Sequence, residues 1–304
     1  MHFLMIFVDG FGLGQLAHNP IMAAKTPYLD KLLGGHVLWG GLPLAGTSVL
    51  KHGQARLCPL DASLDVSGVP QSATGQTTLW TGVNAAKVLG HHLNAYPNAA
   101  LREIITEHSI FKQLTDKGKK VMFANAFTHE FEKLVAEGKK KVTASTLSAL
   151  AGGVVLRRIP ELMAGKAVYQ DMTHKLLREH GLDIPLISAY AAGQNLGKLS
   201  LEYDFTLYEF FQTDVKGHKL RWDESVELIE QLDEFIGGLM SVLDSEESEA
   251  VAWLLTSDHG NIEDFTVKGH TTNPVPALCW SKQPLDWPDW TKLEEITPGI
   301  LKLL

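Results

Sequence analysis

Six apolar residues in a row, Phe3 to Val8, open the chain and stop at Asp9-Gly10. The run is too short to cross a bilayer and too continuous for a half-exposed strand, so it predicts a strand buried on both faces. The pattern recurs at 120–127 ("KVMFANAF"), 205–211 ("FTLYEFF"), 250–256 ("AVAWLLT") and 276–280 ("PALCW"). Between the third and fourth of these runs the period changes. Val226, Ile229, Leu232, Ile236, Leu239 and Leu243 step by three and four, which predicts an amphipathic helix over 225–243, with Asp223 as its N-cap. A second helical run covers 169–181, and the tail is expected to end in a short helix after Pro298. Strands alternating with helices predict an α/β fold around a mostly parallel central sheet. The stretch 85–200 has the weakest pattern and reads as core plus a small lid or insert, within one domain spanning 1–304.

Composition narrows the function classes. The chain is 45% hydrophobic and 20% charged, as folded proteins usually are. A formal charge of −8 argues against duplex nucleic acid as partner. The basic run Lys139-Lys140-Lys141 reads as a solvated turn after Gly138. Two cysteines, Cys58 and Cys279, make no disulfide framework and fit a reducing compartment. The N-terminus has no basic region or cleavage site of a signal peptide, and no run reaches membrane length. A cytoplasmic protein is the expectation.

Candidate chemistry follows the predicted strands. In open α/β sheets ligands bind outside the carboxyl ends of the strands. Asp9 follows the first run, Asp214 and His218 the third, and Asp258-His259 the fourth; His270 stands eleven residues beyond His259. Each one alone is as readily a turn residue or a hydrogen-bonded side chain. Together, carboxylates and imidazoles at one edge suit Zn²⁺, Mn²⁺ or a similar ion, because clustered carboxylates repel unless a positive charge sits among them. In "GVPQSATGQTTLWTG" (68–82), Ser72 and Thr74 precede Gly75 at the start of a predicted helix. They read either as plain caps or as a hydroxyl that a metal activates as nucleophile.

These residues resemble the alkaline phosphatase superfamily, and within it the branch of cofactor-independent phosphoglycerate mutases and phosphopentomutases. The resemblance rests on "VDGFG" (8–12), "QSATGQ" (71–76), "TDVKGH" (213–218), "TSDHGN" (256–261) and "KGHTTNPVP" (268–276), in the family's order along nearly the whole chain. It implies a three-layer core with helices on both faces of the sheet and two divalent metal ions, manganese or zinc. One ion would be held by Asp214, His218 and His270, the other by Asp9, Asp258 and His259. Ser72 would be the nucleophile, with Thr74 as the fallback, and the partner a small phosphorylated substrate. Asn261, Glu263 and Thr271 would orient ligands. Arg157, Arg158 and His129 are candidate substrate-binding residues; Arg56, His91 and His92 are weaker ones.

Two departures shape the expected activity. Gly75-Gln76 stands where the mutases have Gly-His, and the segment from Ser72 to Asp214 is too short for their full second domain. A mutase must exclude water while it holds its intermediate, so a reduced lid favours hydrolysis of a small phosphomonoester through a phosphoseryl intermediate. A phosphomutase of the phosphoglycerate mutase type is the alternative, and a non-catalytic metal-binding protein the second. Cys58-Pro59 continues as "CPLDA", which departs from the sulfatase pattern. Subunit number is left open.

Overall fold

The computed structural model describes residues 1–15, 17–35, 49–245 and 250–304. Nine strands are present among them: β1 (His2–Val8), β2 (Leu50–His52), β3 (Ala55–Leu60), β4 (Val121–Phe123), β5 (Ala126–Phe127), β6 (Arg157–Arg158), β7 (Phe205–Phe210), β8 (Val251–Thr256) and β9 (Val275–Ser281). Seven form one sheet in the order β2-β3-β9-β8-β1-β7-β4, and β5 pairs with β6 apart from it. β4, β7, β1 and β8 are mutually parallel; β9 runs against β8, β3 against β9 and β2 against β3. Five of the seven strands therefore share one direction, and the expected mostly parallel α/β sheet is found.

Burial follows the period of two. Phe3, Met5 and Phe7 of β1 pack on one face with Trp80, Ile105, Phe111 and Ile300. Leu4, Ile6 and Val8 pack on the other with Ile229, Leu232, Phe235 and Leu239. Helices thus cover both faces of the sheet in three layers, which is why its central strands read as unbroken apolar runs.

Several elements differ from the sequence expectation. The run 120–127 is not one strand. β4 ends at Phe123, Ala124 N still donates to Leu207 O at 2.7 Å, and the Asn125 side chain then takes over the ladder. Its Nδ2 donates to Glu209 O at 2.8 Å and its Oδ1 accepts from Glu209 N at 2.8 Å. That pairing ends the ladder, and the chain leaves the main sheet to form β5. β3 was not expected, because Arg56 and Pro59 interrupt its apolar pattern. The long helix is Trp222–Leu243, so Asp223 lies in its first turn and does not cap it; Arg221 occupies the N-cap without a side-chain cap bond. Asp223 and Glu224 there face the positive end of the helix dipole. In 169–181 only Lys175–Glu179 is helical, and Asp171 accepts from His174 N and Leu176 N just before it. The terminal helix is Ile296–Leu303, with Pro298 inside its first turn, where no N–H is needed.

The stretch 85–200 divides in two. Ala86, Ile105, Phe111 and Ala149 join the main core. Ala126, Leu162, Ala167, Tyr169, Leu177 and Ile184 form a small cluster of their own beneath β5 and β6.

The helices Ala189–Ser200 and Trp222–Leu243 cross at glycines. A methyl added at Gly238 would run into the Tyr190 carbonyl, and one at Gly193 into that of Phe235. Both obstacles are backbone, so neither can swing aside. Gly238→Ala should lower unfolding free energy by about 1–3 kcal/mol in urea titration; an unchanged midpoint would contradict this close crossing.

Candidate metal centre

Strand register brings the candidate residues to one edge. Val8 lies opposite Phe210, and Phe7 opposite Thr256, so β1, β7 and β8 end level. Asp9 follows β1 directly. Asp214 sits in the short helix Gln212–Gly217 after β7, with His218 at its C-cap. Asp258 and His259 follow β8. The turn after Asp9 needs glycine, because Gly10 has a φ of 64° and an added Cβ would lie 2.8 Å from Asp214 Oδ1. Ser72 is the first residue of the helix Ser72–Thr81. Gly75, one turn on, lets that helix approach Asp258, whose carbonyl oxygen lies 2.9 Å from where a Cβ would sit.

The side chains converge on two overlapping sets. Asp9, Asp258 and His259 place ligand atoms within 4.8 Å of one another, and so do Asp214, His259 and His270. His259 Nε2 lies 3.0 Å from Ser72 Oγ, 3.5 Å from Asp9 Oδ1 and 3.4 Å from Asp258 Oδ2. His270 Nε2 lies 3.5 Å from Asp214 Oδ1 and 3.2 Å from His218 Nε2, which is 3.4 Å from Asp214 Oδ2. His218 therefore reaches the group from its exposed rim, and His259 serves both sets. The reason is stacking: the His259 and His270 rings lie 3.6 Å apart at 17°. Their other nitrogens face carbonyls, Nδ1 of His259 toward Gly260 O at 3.3 Å and Nδ1 of His270 toward Pro70 O at 2.9 Å. In the neutral rings, protons held there leave both Nε2 lone pairs aimed inward, as metal-binding histidines are arranged; when protonated, His270 instead turns an Nε2–H to Asp214.

The electrostatics call for a cation. Asp9 Oδ1 and Asp258 Oδ2 are buried and accept no hydrogen bond. Burial first, then the charges of Asp258, Asp214 and Glu209, push the Asp9 carboxyl well above its usual range. Asp214 goes the other way. Burial raises it, but hydrogen bonds from His218 and His270, the charge of His259 and the Asn261 amide outweigh that and hold it far below. Burial lowers the His259 pKa, whereas His270 is raised because Asp214 overcomes burial. The histidines thus favour the Asp214 carboxylate, whereas the Asp9 carboxyl stays raised. The donor set, carboxylate and imidazole with orphaned buried oxygens, fits divalent ions such as zinc or manganese.

Glu263 shows the contrasting case. It is fully buried, yet it accepts from Gly12 N (3.0 Å), Asn261 N (2.7 Å), Thr271 Oγ1 (2.5 Å) and Asn273 Nδ2 (3.0 Å). One carboxylate thus ties together the loops after β1 and β8 and the segment entering β9. Asn261 Nδ2 in turn holds Asp214 Oδ1 at 2.6 Å.

Other candidates lie elsewhere. Thr74 Oγ1 donates to Gln71 O at 3.1 Å, a backbone bond that occupies the hydroxyl. Arg157 donates to the Tyr203 hydroxyl, and Arg158 pairs with Glu132; strand β6 keeps both off the site. His129 is 92% exposed and faces Glu132. Arg56 is engaged with Cys58, Trp287 O and Asp289. His91 and His92 face the carbonyls of Leu89 and Val66. None of these arginines and histidines lines the cavity of about 550 Å³ that opens beside Ser72, Asp9 and Asp214.

That cavity is also lined by Glu209, Asn125, Gln76, Tyr96, Lys140 and Lys141, none of which the sequence pattern assigns to the site. Gln76 Nε2 donates to Asp9 Oδ2 at 3.4 Å. Glu209 accepts from Ser145 Oγ at 2.7 Å. A lone carboxylate in the apolar run "FTLYEFF" was its signal, since unpaired acids are rarely buried. In sequence the lysines read as a solvated turn; only the fold brings that turn back over the cavity.

Burial raises Glu209 to about 7, with Ser145 lowering it and Asp258 adding to the rise. The folded pKa exceeds the unfolded one, so this contribution to stability is complete below about pH 4.5 and is lost as pH rises through about 7. Unfolding free energy of metal-stripped protein should fall across that window, and more shallowly in Glu209→Gln; identical slopes would contradict the burial of this acid. Glu263→Gln turns a donor toward other donors and should cost about 3 kcal/mol, read as a lower denaturation midpoint.

The whole chain, residues 1–304, matches the sequence profile of the Metalloenzyme superfamily. Among curated proteins it is similar to 2,3-bisphosphoglycerate-independent phosphoglycerate mutases. That of Clostridium botulinum (strain ATCC 19397 / Type A) is 30% identical over 110 residues, covering 34% of this chain and 21% of the relative. That of Pseudomonas fluorescens (strain Pf0-1) is 31% identical over 109 residues, with the same coverage. The match thus spans about a fifth of these relatives' length. Among solved structures, the PH0037 protein from Pyrococcus horikoshii aligns with TM-score 0.57 and 18% identity, covering 99% of this chain and 96% of that one. The alkaline phosphatase from the Antarctic bacterium TAB5 aligns with TM-score 0.53 and 13% identity, covering 99% and 97%. At such identities these structures speak for the fold. The chain belongs to the Metalloenzyme superfamily and carries its alkaline-phosphatase-like fold.

Proposed function

We propose that the chain is a two-metal phosphoryl-transfer enzyme that hydrolyses a small phosphomonoester through a phosphoseryl intermediate. The observation that carries the reading is Ser72 Oγ, 3.0 Å from His259 Nε2 inside the carboxylate–imidazole cluster and on the wall of the cavity. Asp214, His218 and His270 would hold one divalent ion, manganese or zinc, and Asp9, Asp258 and His259 the other. Bound there, the ions supply positive charge for the phosphoryl oxygens and lower the pKa of the serine hydroxyl. Ser72 Oγ forms a bond to phosphorus as the ester bond breaks, and the hydroxyl proton passes by way of solvent to the oxygen of the leaving alcohol. Water then attacks phosphorus, releases inorganic phosphate and restores the hydroxyl. Gln76 steadies Asp9 during both steps. Thr74, bound to the backbone, is the weaker candidate for nucleophile.

We read the chain as one domain in which the segment 126–184, with its own small core, acts as a reduced lid. Its residues Phe127, Phe131 and Thr143 form part of the cavity wall. A wall this slight supports hydrolysis, since a mutase must keep water from its intermediate. The similarity to phosphoglycerate mutases favours a second reading, return of the phosphoryl group to another hydroxyl of the substrate. The serine within the cluster speaks against a protein that only binds metal. No helix among the described residues is long and apolar enough to cross a membrane; the cytoplasmic reading rests on the free, buried Cys58 and Cys279.

Release of phosphate from a panel of phosphomonoesters, with Mn²⁺ or Zn²⁺ added, tests the reading. Ser72→Ala should lower turnover at least about a thousandfold, and Asp258→Asn should lower bound metal by elemental analysis. Isomerised product with phosphate retained would make the enzyme a mutase. Full activity in Ser72→Ala would remove the phosphoseryl route.

A further inference from the structure

Lys140 and Lys141 are the cations lining the cavity that holds Ser72. The helix His129–Ala136 ends in a turn through Gly138, where Lys139 N and Lys140 N both donate to Leu134 O, at 2.8 and 3.1 Å. The turn carries the two lysines back toward the cavity. Lys140 Nζ lies over the Phe131 ring at 5.0 Å and Lys141 Nζ over the Tyr96 ring at 5.8 Å. Each ammonium group thus rests over a ring face on the cavity wall, and with three N–H donors it still has some to offer an acceptor. Lys139, one residue earlier, is paired with Glu137 at 2.7 Å, whereas neither cavity lysine has an ion pair among the described residues. The strip beyond them is fastened to the cavity floor: Thr143 caps the helix Ala144–Ala151, and Ser145 bonds Glu209.

The cavity lining thus combines two kinds of chemistry. Asp9, Asp214 and His218 stand at the strand ends with Ser72. The lysines stand on a wall of Tyr96, Phe131 and Thr143. In a chain of net charge −8, two unpaired ammonium groups facing one cavity mark where negative charge is received. We propose that Lys140 and Lys141 are specificity-determining residues that bind a second anionic group, carboxylate or phosphate, on the leaving-group side of a phosphomonoester held at Ser72. This rests on the phosphoryl-transfer reading above, and the two can fail separately.

The test uses Mn²⁺-loaded full-length protein and three esters: 3-phosphoglycerate, fructose 1,6-bisphosphate, and glycerol 3-phosphate, whose leaving group is uncharged. Product is followed as free phosphate or isomer. In Lys140→Ala/Lys141→Ala, the kcat/KM ratio of a doubly charged ester to glycerol 3-phosphate should fall at least about tenfold, through KM. Lys140→Arg/Lys141→Arg should restore it. The ester that loses more tells whether carboxylate or phosphate is received. An equal change for all three esters, or none, overturns the proposal. Calorimetric titration of Ser72→Ala with the same esters, with and without the lysines, separates the remaining cases. Lysine-dependent binding without any turnover in the wild type would retain the anion site and sink the phosphoryl-transfer reading. Turnover without lysine dependence would do the reverse, and the absence of both would end both.

Discussion

Negative charge gathered where water is excluded is the constraint on which this structure turns. Asp9 and Asp258 are buried side by side at the end of two neighbouring strands, each with an oxygen that no donor reaches. Burial and the neighbouring acids oppose ionisation of Asp9 unless positive charge joins it. Glu263 shows what the fold does when a carboxylate serves structure alone: four donors surround it. The missing donors at Asp9 and Asp258 are therefore a property of those positions and not of carboxylates in this fold generally. Metal binding and folding are coupled in such a centre, because ligands that repel one another in the free chain are brought together by the sheet.

The sheet does this through register. Level ends of β1, β7 and β8 place three acidic loops within one side chain's reach. Glycine then removes the obstacles. Gly10 clears Asp214, and Gly75 lets the helix bearing Ser72 settle against Asp258. Backbone carbonyls at Gly260 and Pro70 orient the two imidazoles. The centre is positioned by backbone geometry first and by side-chain bonds second, which suits a site whose atoms must hold their places while charge moves.

The cavity draws its lining from different parts of the chain. The loops and the short helix after β1, β7 and β8 bring the acids and imidazoles, and Ser72 opens the helix Ser72–Thr81. The wall that a leaving group would meet comes from the turn at Tyr96 and the segment 126–146, which hangs from Asn125 where the chain quits the sheet. A segment with its own small cluster can vary without disturbing the strand ends.

Elements with a strong, local pattern are legible from the chain alone. Buried parallel strands read as unbroken apolar runs, the long helix shows its period, and the residues just past each strand carry the acids and histidines. Those positions were legible because a strand's end is visible in one dimension. The tertiary structure decided the rest, for reasons that distance along the chain cannot express. Asn125 breaks one apolar run into two strands by pairing with a backbone that lies 84 residues away. β3 hides behind Arg56 and Pro59 because its partner, β9, is remote in sequence. Arg157 and Arg158 look fit to bind phosphate, yet they bond Tyr203 and Glu132 instead. Lys140 and Lys141 look like a solvated turn, yet that turn folds back over the cavity. A strand end announces its position in the chain, but the aim of a long cationic side chain depends on what packs beneath it.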